Sequence, residues 1–300
     1  MNIAILIPCY NEEKTIAKVI EDFRTQLPQA TIYVFDNNSS DRSAEIARKN
    51  GVQVISVRKQ GKGFVVRKMF EQIDSDIYVI VDADDTYFAK DVHKLIEPIL
   101  KDEADMVIGS RRFVSDSAMK KINKIGNILF SRLLKLVFAQ PLGDVLSGYR
   151  AVSKEWVLNV PLVSYEFQVE MEMTFQSLYR NMRIIEVEVD YKERPQGSFS
   201  KLHPFRDGAL ILGTFMALIR DLMPLYTFSF FAFVLVAFTL GYGLHIYYLP
   251  REATLFDNVI IISGLIISFL LLLIGIVLHT INRRFFELIV LIQRNNKHKK

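Results

Sequence analysis

Five short apolar-rich runs punctuate the first third of the chain: Ile3 to Ile7, Ile32 to Phe35, Val52 to Val57, Ile77 to Val81 and Asp105 to Ile108. Each is too short for a buried helix and is bounded by polar turns, the pattern of strands covered on both faces. The longer stretches between them read as helices. The resulting order, β-α-β-α-β-α-β-α-β, predicts an α/β domain with a mostly parallel central sheet. No Gly-x-Gly-x-x-Gly follows the first run, which disfavours a dinucleotide-binding fold.

The pattern changes in the last third. Leu225 to Leu249 and Asn258 to Asn282 contain no Asp, Glu, Lys or Arg. Each exceeds the ~20 residues needed to cross a bilayer. The tail after Asn282 carries Arg283, Arg284, Arg294, Lys297, Lys299 and Lys300 against Glu287. Positive charge marks the cytoplasmic side, so the segments predict a membrane hairpin with catalytic domain and tail both cytoplasmic. Tyr226, Tyr247 and Tyr248 suit interfacial belts. The expected organisation is a cytoplasmic domain over 1–204, an amphipathic segment over 205–224, two membrane helices (225–249 and 258–282) and a basic tail over 283–300. Asp207 to Asp221 and Phe285 to Ile292 fit either a membrane surface or packing against the catalytic domain.

Composition adds little. The formal charge of +4 over 300 residues points to no nucleic-acid partner. The single cysteine, Cys9, excludes an intrachain disulfide. The N-terminus enters a strand at once, with no secretory signal pattern. Two membrane helices per chain leave room for a homo-oligomer.

Chemistry-bearing residues collect where the runs end. The fourth run delivers Asp82-Ala83-Asp84-Asp85, carboxylates that repel one another unless a cation sits among them. A hard divalent ion bridging a diphosphate is the natural occupant. Asp85 serves there or caps the next helix. Ile7-Pro8-Cys9-Tyr10-Asn11-Glu12-Glu13 closes the first run, with Asn11 placed to cap a helix and Tyr10 to stack on a base. Asp36-Asn37-Asn38-Ser39-Ser40-Asp41 closes the second, with Asp36 placed to accept from a ribose or base and Ser40 or Asp41 to cap a helix. Gly61-Lys62-Gly63 suits close backbone approach to phosphate. Gly109-Ser110-Arg111-Arg112 follows the fifth.

As an ordered set these motifs resemble an inverting family 2 glycosyltransferase with a GT-A fold. Asp144-Val145-Leu146-Ser147-Gly148-Tyr149-Arg150 and Arg194-Pro195-Gln196-Gly197-Ser198-Phe199-Ser200-Lys201-Leu202 are similar to segments of polyprenyl-phosphate glycosyltransferases such as dolichyl-phosphate mannose synthase. The resemblance covers residues 1 to about 225. It implies transfer of a sugar from a nucleotide diphosphate-sugar to a polyprenyl phosphate at the bilayer. It implies Mg²⁺ or Mn²⁺ on Asp82 and Asp84, and donor contacts from Pro8, Tyr10, Asn11, Glu12, Asp36, Asn38, Lys62, Asp82 and Ala83. Arg194, Ser200 and Lys201 are implied to close over the diphosphate. Asp144 is the implied base or acceptor-positioning group, with Glu170 a second candidate or a salt-bridge partner. Arg111 leads the expected acceptor-phosphate ligands, ahead of Arg112, Lys121, Lys124 and Arg132. Arg150 is expected to pair with Asp144.

One departure bears on the donor. Mannose synthases commonly carry Gln two residues after the second metal-site aspartate, and Thr86 stands there, which leans the reading toward a UDP-sugar. Glucose, N-acetylglucosamine, mannose and 4-amino-arabinose remain open, as do dolichol and undecaprenol. Competing readings are a different lipid or glycan acceptor, a non-catalytic lipid-binding subunit and a processive polysaccharide synthase. The last lacks its Gln-x-x-Arg-Trp signature, because the only tryptophan, Trp156, follows Ser153-Lys154-Glu155.

Overall fold

A computed structural model describes residues 1–113, 121–195, 201, 203–248 and 252–297. It divides into two units, Met1–Phe215 and Met216–Lys300. In the first, strands β1 (Ile3–Cys9), β2 (Thr31–Asp36), β3 (Gln53–Ser56), β4 (Ile77–Ile80), β5 (Met106–Phe113), β6 (Arg150–Ser153) and β7 (Ile184–Tyr191) form one sheet of order β3-β2-β1-β4-β6-β5-β7. β1 pairs in parallel with β2 and β4, β2 with β3, and β5 with β7.

The five expected strands are present with shifted ends, and one feature differs. β5 does not lie beside β4. Antiparallel β6 stands between them, pairing Ile80 with Arg150 on one side and Ile108 with Arg150 on the other. At four residues it is short and holds a buried arginine, so its sequence carries no apolar run to announce it.

Alternation along β1 builds two cores, because successive side chains point to opposite faces. Ile3, Ile5 and Ile7 pack with Val19, Ile20 and Phe23 of α1 (Ile16–Gln26) and with Leu95 and Ile96 of α4 (Val92–Leu100). The same face carries Ala47 of α2 (Ser43–Lys49). Ala4 and Leu6 face Val65, Val66 and Met69 of α3 (Lys62–Gln72), with Met173 of α7 (Val169–Tyr179). Trp156, on α6 (Lys154–Asn159), is fully buried there and donates its indole N–H to Ser177 Oγ at 2.6 Å. α5 (Lys121–Phe138) and α8 (Pro204–Leu222) complete the helices up to the boundary.

After β1 the chain builds outward through β2 and β3, then returns to place β4 on the other side of β1. The carboxyl ends of β1 and β4 therefore flank a topological switch point, where α/β sheets bind ligands.

α8 has one buried and one exposed apolar face. Ile211, Phe215 and Leu218 are buried, with Phe215 edge-on to Phe175 at 5.7 Å. Leu210, Leu212 and Met216 are exposed.

The second unit holds the end of α8 and a pair of long helices, α9 (Pro224–Tyr248) and α10 (Leu255–Lys297). Both are long and apolar enough to cross a membrane. Small residues let them approach closely: a Cβ on Gly264 would sit 2.4 Å from Thr239 Oγ1, and one on Gly275 would sit 2.9 Å from Phe228 Cβ. Tyr242 donates to Asp257 at 2.7 Å near the turn. α10 runs unbroken through Lys297, so the basic stretch from Arg283 continues the helix.

Backbone contact explains Gly63 but not Gly126. A Cβ on Gly63 would sit 2.2 Å from the Ser164 carbonyl oxygen, whereas one on Gly126, within α5, meets open space. Gly63→Ala is expected to destabilise the catalytic unit by about 1–3 kcal/mol through overpacking. Gly126→Ala is expected to add about 0.5–1 kcal/mol of helix stability. Thermal unfolding of the two purified variants compares them directly.

Candidate active site

The carboxyl ends of β1 and β4 bring four expected residues together: Asp84, Glu12, Arg194 and Lys201. Asp84 is buried, and its Oδ1 accepts from Thr86 Oγ1 at 2.6 Å and from the Thr86 amide at 3.2 Å. Its other oxygen pairs with Arg194. Glu12, also buried, pairs with Lys201 at 2.8 Å and with Arg194 at 3.4 Å. Lys201 donates as well to the Asn11 carbonyl at 3.0 Å. The two cations that follow β7 thus sit on the carboxylates of β1 and β4. Ser200 lies outside the described residues.

Asp82 pairs instead with Lys62, at 2.6 Å, and Lys62 pairs equally closely with Glu170 on α7. Burial works against the Lys62 charge, but the two carboxylates outweigh it and hold the ammonium well above the usual lysine range. Burial likewise opposes ionisation of Asp82, yet Lys62, with Arg194 and Arg111, holds its carboxyl below the usual range. Asp84 is raised: burial and the charges of Asp82 and Glu12 outweigh Arg194 and the Thr86 hydroxyl.

This geometry alters the reading of Gly61-Lys62-Gly63. Gly61 adopts φ of 135°, and a Cβ there would meet the Tyr165 carbonyl oxygen at 2.2 Å. The Gly63 amide donates to that carbonyl at 3.0 Å. Both glycines therefore admit the Ser164–Tyr165 backbone, and Lys62 is an internal counter-ion. Buried Glu172 fixes the same backbone, accepting from the Val163 amide at 2.9 Å and the Ser164 amide at 2.8 Å. Sequence reading weighed Glu170 but had no signal for Glu172.

A second cluster forms where β5 meets the loop before β6. Arg111 grips Asp144 in a fork, with Nε 2.6 Å from Oδ2 and Nη2 2.7 Å from Oδ1, and its amide adds a third bond at 3.0 Å. Burial opposes the Arg111 charge, but Asp144 outweighs it and holds the guanidinium above its ordinary range. Glu186 of β7 clamps the loop from below, accepting from the Gly143 amide at 2.7 Å and the Asp144 amide at 2.8 Å. Gly148 lets the same loop close over Asp82, because a Cβ there would stand 2.4 Å from Oδ2. Tyr87, which sequence reading missed, accepts from the Gly148 amide at 3.1 Å and lies 3.2 Å from Ser147 Oγ.

Several expectations are corrected. Arg150 does not pair with Asp144. It is buried and donates to the carbonyls of Ser147 and Val145 and to Thr174 Oγ1, at 2.8, 2.7 and 2.9 Å. Burial lowers its pKa to about 10. Arg112 points away from Arg111, as strand alternation requires, and pairs with Asp190. Asn11 caps no helix: at φ of 53° its Oδ1 accepts from the Ser40 amide at 2.7 Å, tying the β1 loop to the β2 loop. Asp85 is no cap either, pairing with Lys192 at 2.8 Å and Lys18 at 3.1 Å.

The remaining expected residues are more dispersed. Asp36 is buried at the end of β2 with Oδ1 lacking a hydrogen-bond partner. Asn38 takes φ of 68° and reaches the Arg58 carbonyl at 3.4 Å. Tyr10 is exposed, Pro8 is half-buried, and the Ala83 carbonyl accepts from Thr15 Oγ1 at 2.7 Å. Arg132 and Lys124 lie on α5, Arg132 on its exposed face. Lys121 begins α5, and its side chain lies outside the described residues.

Among the described residues no cluster of three or more His, Cys, Asp or Glu is poised to hold an ion. Asp82 and Asp84 offer two hard oxygen donors. Mg²⁺ typically takes one or two carboxylates and completes its shell with substrate phosphate and water. The pair fits such an ion once Arg194 yields its place on Asp84.

An α/β sheet with paired aspartates at its switch point, and cations after the last strand resting on Asp84 and Glu12 beside it, has the architecture of a GT-A sugar-nucleotide transferase. Residues 4–160 match the model of glycosyl transferase family 2, and the chain belongs to that family. It is a glycosyltransferase. Over 279 residues, 91% of both chains, it is 33% identical to glycosyltransferase AglJ of Haloferax volcanii. It is 31% identical over 210 residues to dolichyl-phosphate hexose transferase of the same organism, covering 70% of this chain and 90% of that one. Glucosyl-3-phosphoglycerate synthase from Mycobacterium tuberculosis, solved with Mn²⁺ and UDP-glucose, shares the fold with a TM-score of 0.58 at 22% identity, covering 73% of this chain and 78% of that one.

Glu186 touches no expected substrate position, yet it sets the loop that carries Asp144. Glu186→Ala is expected to lower kcat by up to about 100-fold, the cost of an ångström-scale misplacement. The KM for the sugar nucleotide should stay within experimental error. Steady-state kinetics with the purified protein checks both.

Proposed function

We propose that the protein transfers a hexose or N-acetylhexosamine from a nucleotide diphosphate-sugar, with UDP favoured, to a polyprenyl phosphate at the cytoplasmic face of a membrane. The observation that carries this reading is the pairing of Arg111–Asp144 with the Asp82/Asp84 edge in a chain bearing two membrane-length helices. Likeness to a dolichyl-phosphate hexose transferase over most of both chains supports the acceptor class. The basic stretch beginning at Arg283 supports a cytoplasmic catalytic unit. Thr86, in the place of the mannose-type glutamine, supports UDP over GDP-mannose.

Asp36, with an unpartnered buried oxygen, accepts from the ribose or base, beside Pro8, Tyr10 and Asn38. Asp82 and Asp84 would hold Mg²⁺ or Mn²⁺, which would supply positive charge to offset the negative charge developing on the departing diphosphate. Arg194 and Lys201 exchange Asp84 and Glu12 for the diphosphate oxygens as donor enters.

The acceptor phosphate attacks the anomeric carbon from the opposite side, inverting it. A phosphate monoester has a second pKa of about 6 and is mostly dianionic at neutral pH. It therefore attacks without losing a proton to the enzyme. Asp144, with both oxygens engaged by Arg111, acts by fixing the guanidinium that meets the acceptor phosphate.

Membranes containing the protein, supplied with radiolabelled UDP- and GDP-sugars, polyprenyl phosphate and Mn²⁺, are expected to yield a labelled, mild-acid-labile lipid from a UDP-sugar. The product should disappear with EDTA and with Asp84→Ala. Donor binding without lipid product from any sugar would reject the acceptor class. Asp144→Asn is expected to retain measurable transfer to a phosphate acceptor, whereas a hydroxyl acceptor that needs a base would lose turnover outright.

A further inference from the structure

α5 is inverted in its chemistry. Its buried positions are Phe130 and Leu134, with Phe138 edge-on to Phe175 of α7 at 5.0 Å. The opposite face exposes Ile125, Ile128, Leu129 and Leu136, the last at 83%. At 100° per residue these four fall on one side of the helix, with Arg132 among them and Lys135 at their edge. The 18 residues of α5 contain Lys121, Lys124, Arg132 and Lys135 and no acidic residue. A solvated helix would not keep four large apolar side chains on its outer face. An apolar face flanked only by cations matches an anionic bilayer surface, where acyl chains take the apolar groups and headgroups take the charges.

The helix is also wired to the active site. Asn127 Nδ2 donates to the Gly143 carbonyl at 2.9 Å, and Asn127 Oδ1 accepts from the Leu146 amide at 3.2 Å. Ser131 Oγ adds a bond to the same Gly143 carbonyl at 3.2 Å. These bonds bracket Asp144, the partner of Arg111.

We propose that α5 lies on the surface of an anionic bilayer through Ile125, Ile128, Leu129 and Leu136, and that Asn127 and Ser131 transmit its depth to the Asp144–Arg111 pair. The pair is thereby held at headgroup level, where a lipid-borne phosphate is presented. The second half rests on the polyprenyl-phosphate reading; the first does not. Asn127 is a positioning residue.

The test uses the full chain in nanodiscs containing anionic lipid. Leu129→Cys, Leu136→Cys and Leu158→Cys are each labelled with an environment-sensitive fluorophore. Native Cys9 is buried, with its thiol pushed up to about 12 by burial, and does not compete for label. Leu158, 70% exposed on α6, is the control. Lipids spin-labelled near the headgroup are expected to quench positions 129 and 136 several-fold more than 158. Equal quenching at all three would overturn the proposal. So would efficient cross-linking of Leu136→Cys between copies, which would make a second chain the occupant.

A kinetic arm tests the coupling. Leu129→Glu with Leu136→Glu is expected to raise the KM for bilayer-embedded polyprenyl phosphate by about 10-fold or more. The KM for the sugar nucleotide and turnover of a short, water-soluble polyprenyl phosphate should not change. Asn127→Ala is expected to lower kcat on both acceptors without altering quenching at position 129. Loss of activity on the soluble acceptor in the double variant would show a folding defect and overturn the coupling. If the wild type uses no phosphate acceptor, the acceptor reading fails, while the quenching result still decides whether α5 meets the bilayer.

Discussion

The site depends on matching a crowd of carboxylates with cations at one edge of a sheet. Glu12, Asp82, Asp84, Asp144 and Glu170 are all drawn to the ends of β1, β4 and β6, where uncompensated negative charge is costly. Each is matched by a cation from a different part of the chain: Lys62 from α3, Arg111 from β5, and Arg194 and Lys201 from beyond β7. The cations are of two kinds. Lys62 and Arg111 are locked by two or more short contacts. Arg194 and Lys201 rest on Asp84 and Glu12, reaching them from beyond the last strand.

Backbone proximity is the second constraint. Gly61 and Gly63 let the 164–165 backbone press against the start of α3, and Gly148 lets the Asp144 loop close onto Asp82. Glu172 and Glu186 fix those two loops by accepting pairs of amide hydrogens. Conformation-setting residues thus lie one layer behind the groups that face the cleft. The Asp144 loop is held from both flanks, by Glu186 on β7 and Asn127 on α5. A helix whose outer face is apolar is therefore part of the same frame as the Asp144–Arg111 pair.

Much of this was legible in the chain. The apolar runs that form β1 to β5 are short, continuous and bounded by turns, so burial on both faces showed directly. Asp82, Asp84, Asp36 and Arg111 stood out because they close strand-like runs, whereas Asp144 stood out only through the family resemblance. The charge-free segments within α9 and α10 were equally plain. β6 was not legible, because its identity depends on strands donated by β4 and β5 rather than on its own four residues. The partner of Arg150 was mistaken for a similar reason: nearness in sequence to Asp144 says nothing about which way a buried side chain turns.

Sequence by itself determined the order of elements, the chemistry available at each strand end and the presence of two membrane-length helices. These are local properties, set by periodicity, turn residues and charge. Only the tertiary structure decided which charges meet. It turned Lys62 from a phosphate-binding candidate into a counter-ion of Asp82 and Glu170, separated Arg111 from Arg112 across the pleat of β5, and left the apolar face of α5 outward. Pairing of side chains distant in sequence follows from the register and layering of the sheet, and no local pattern encodes that.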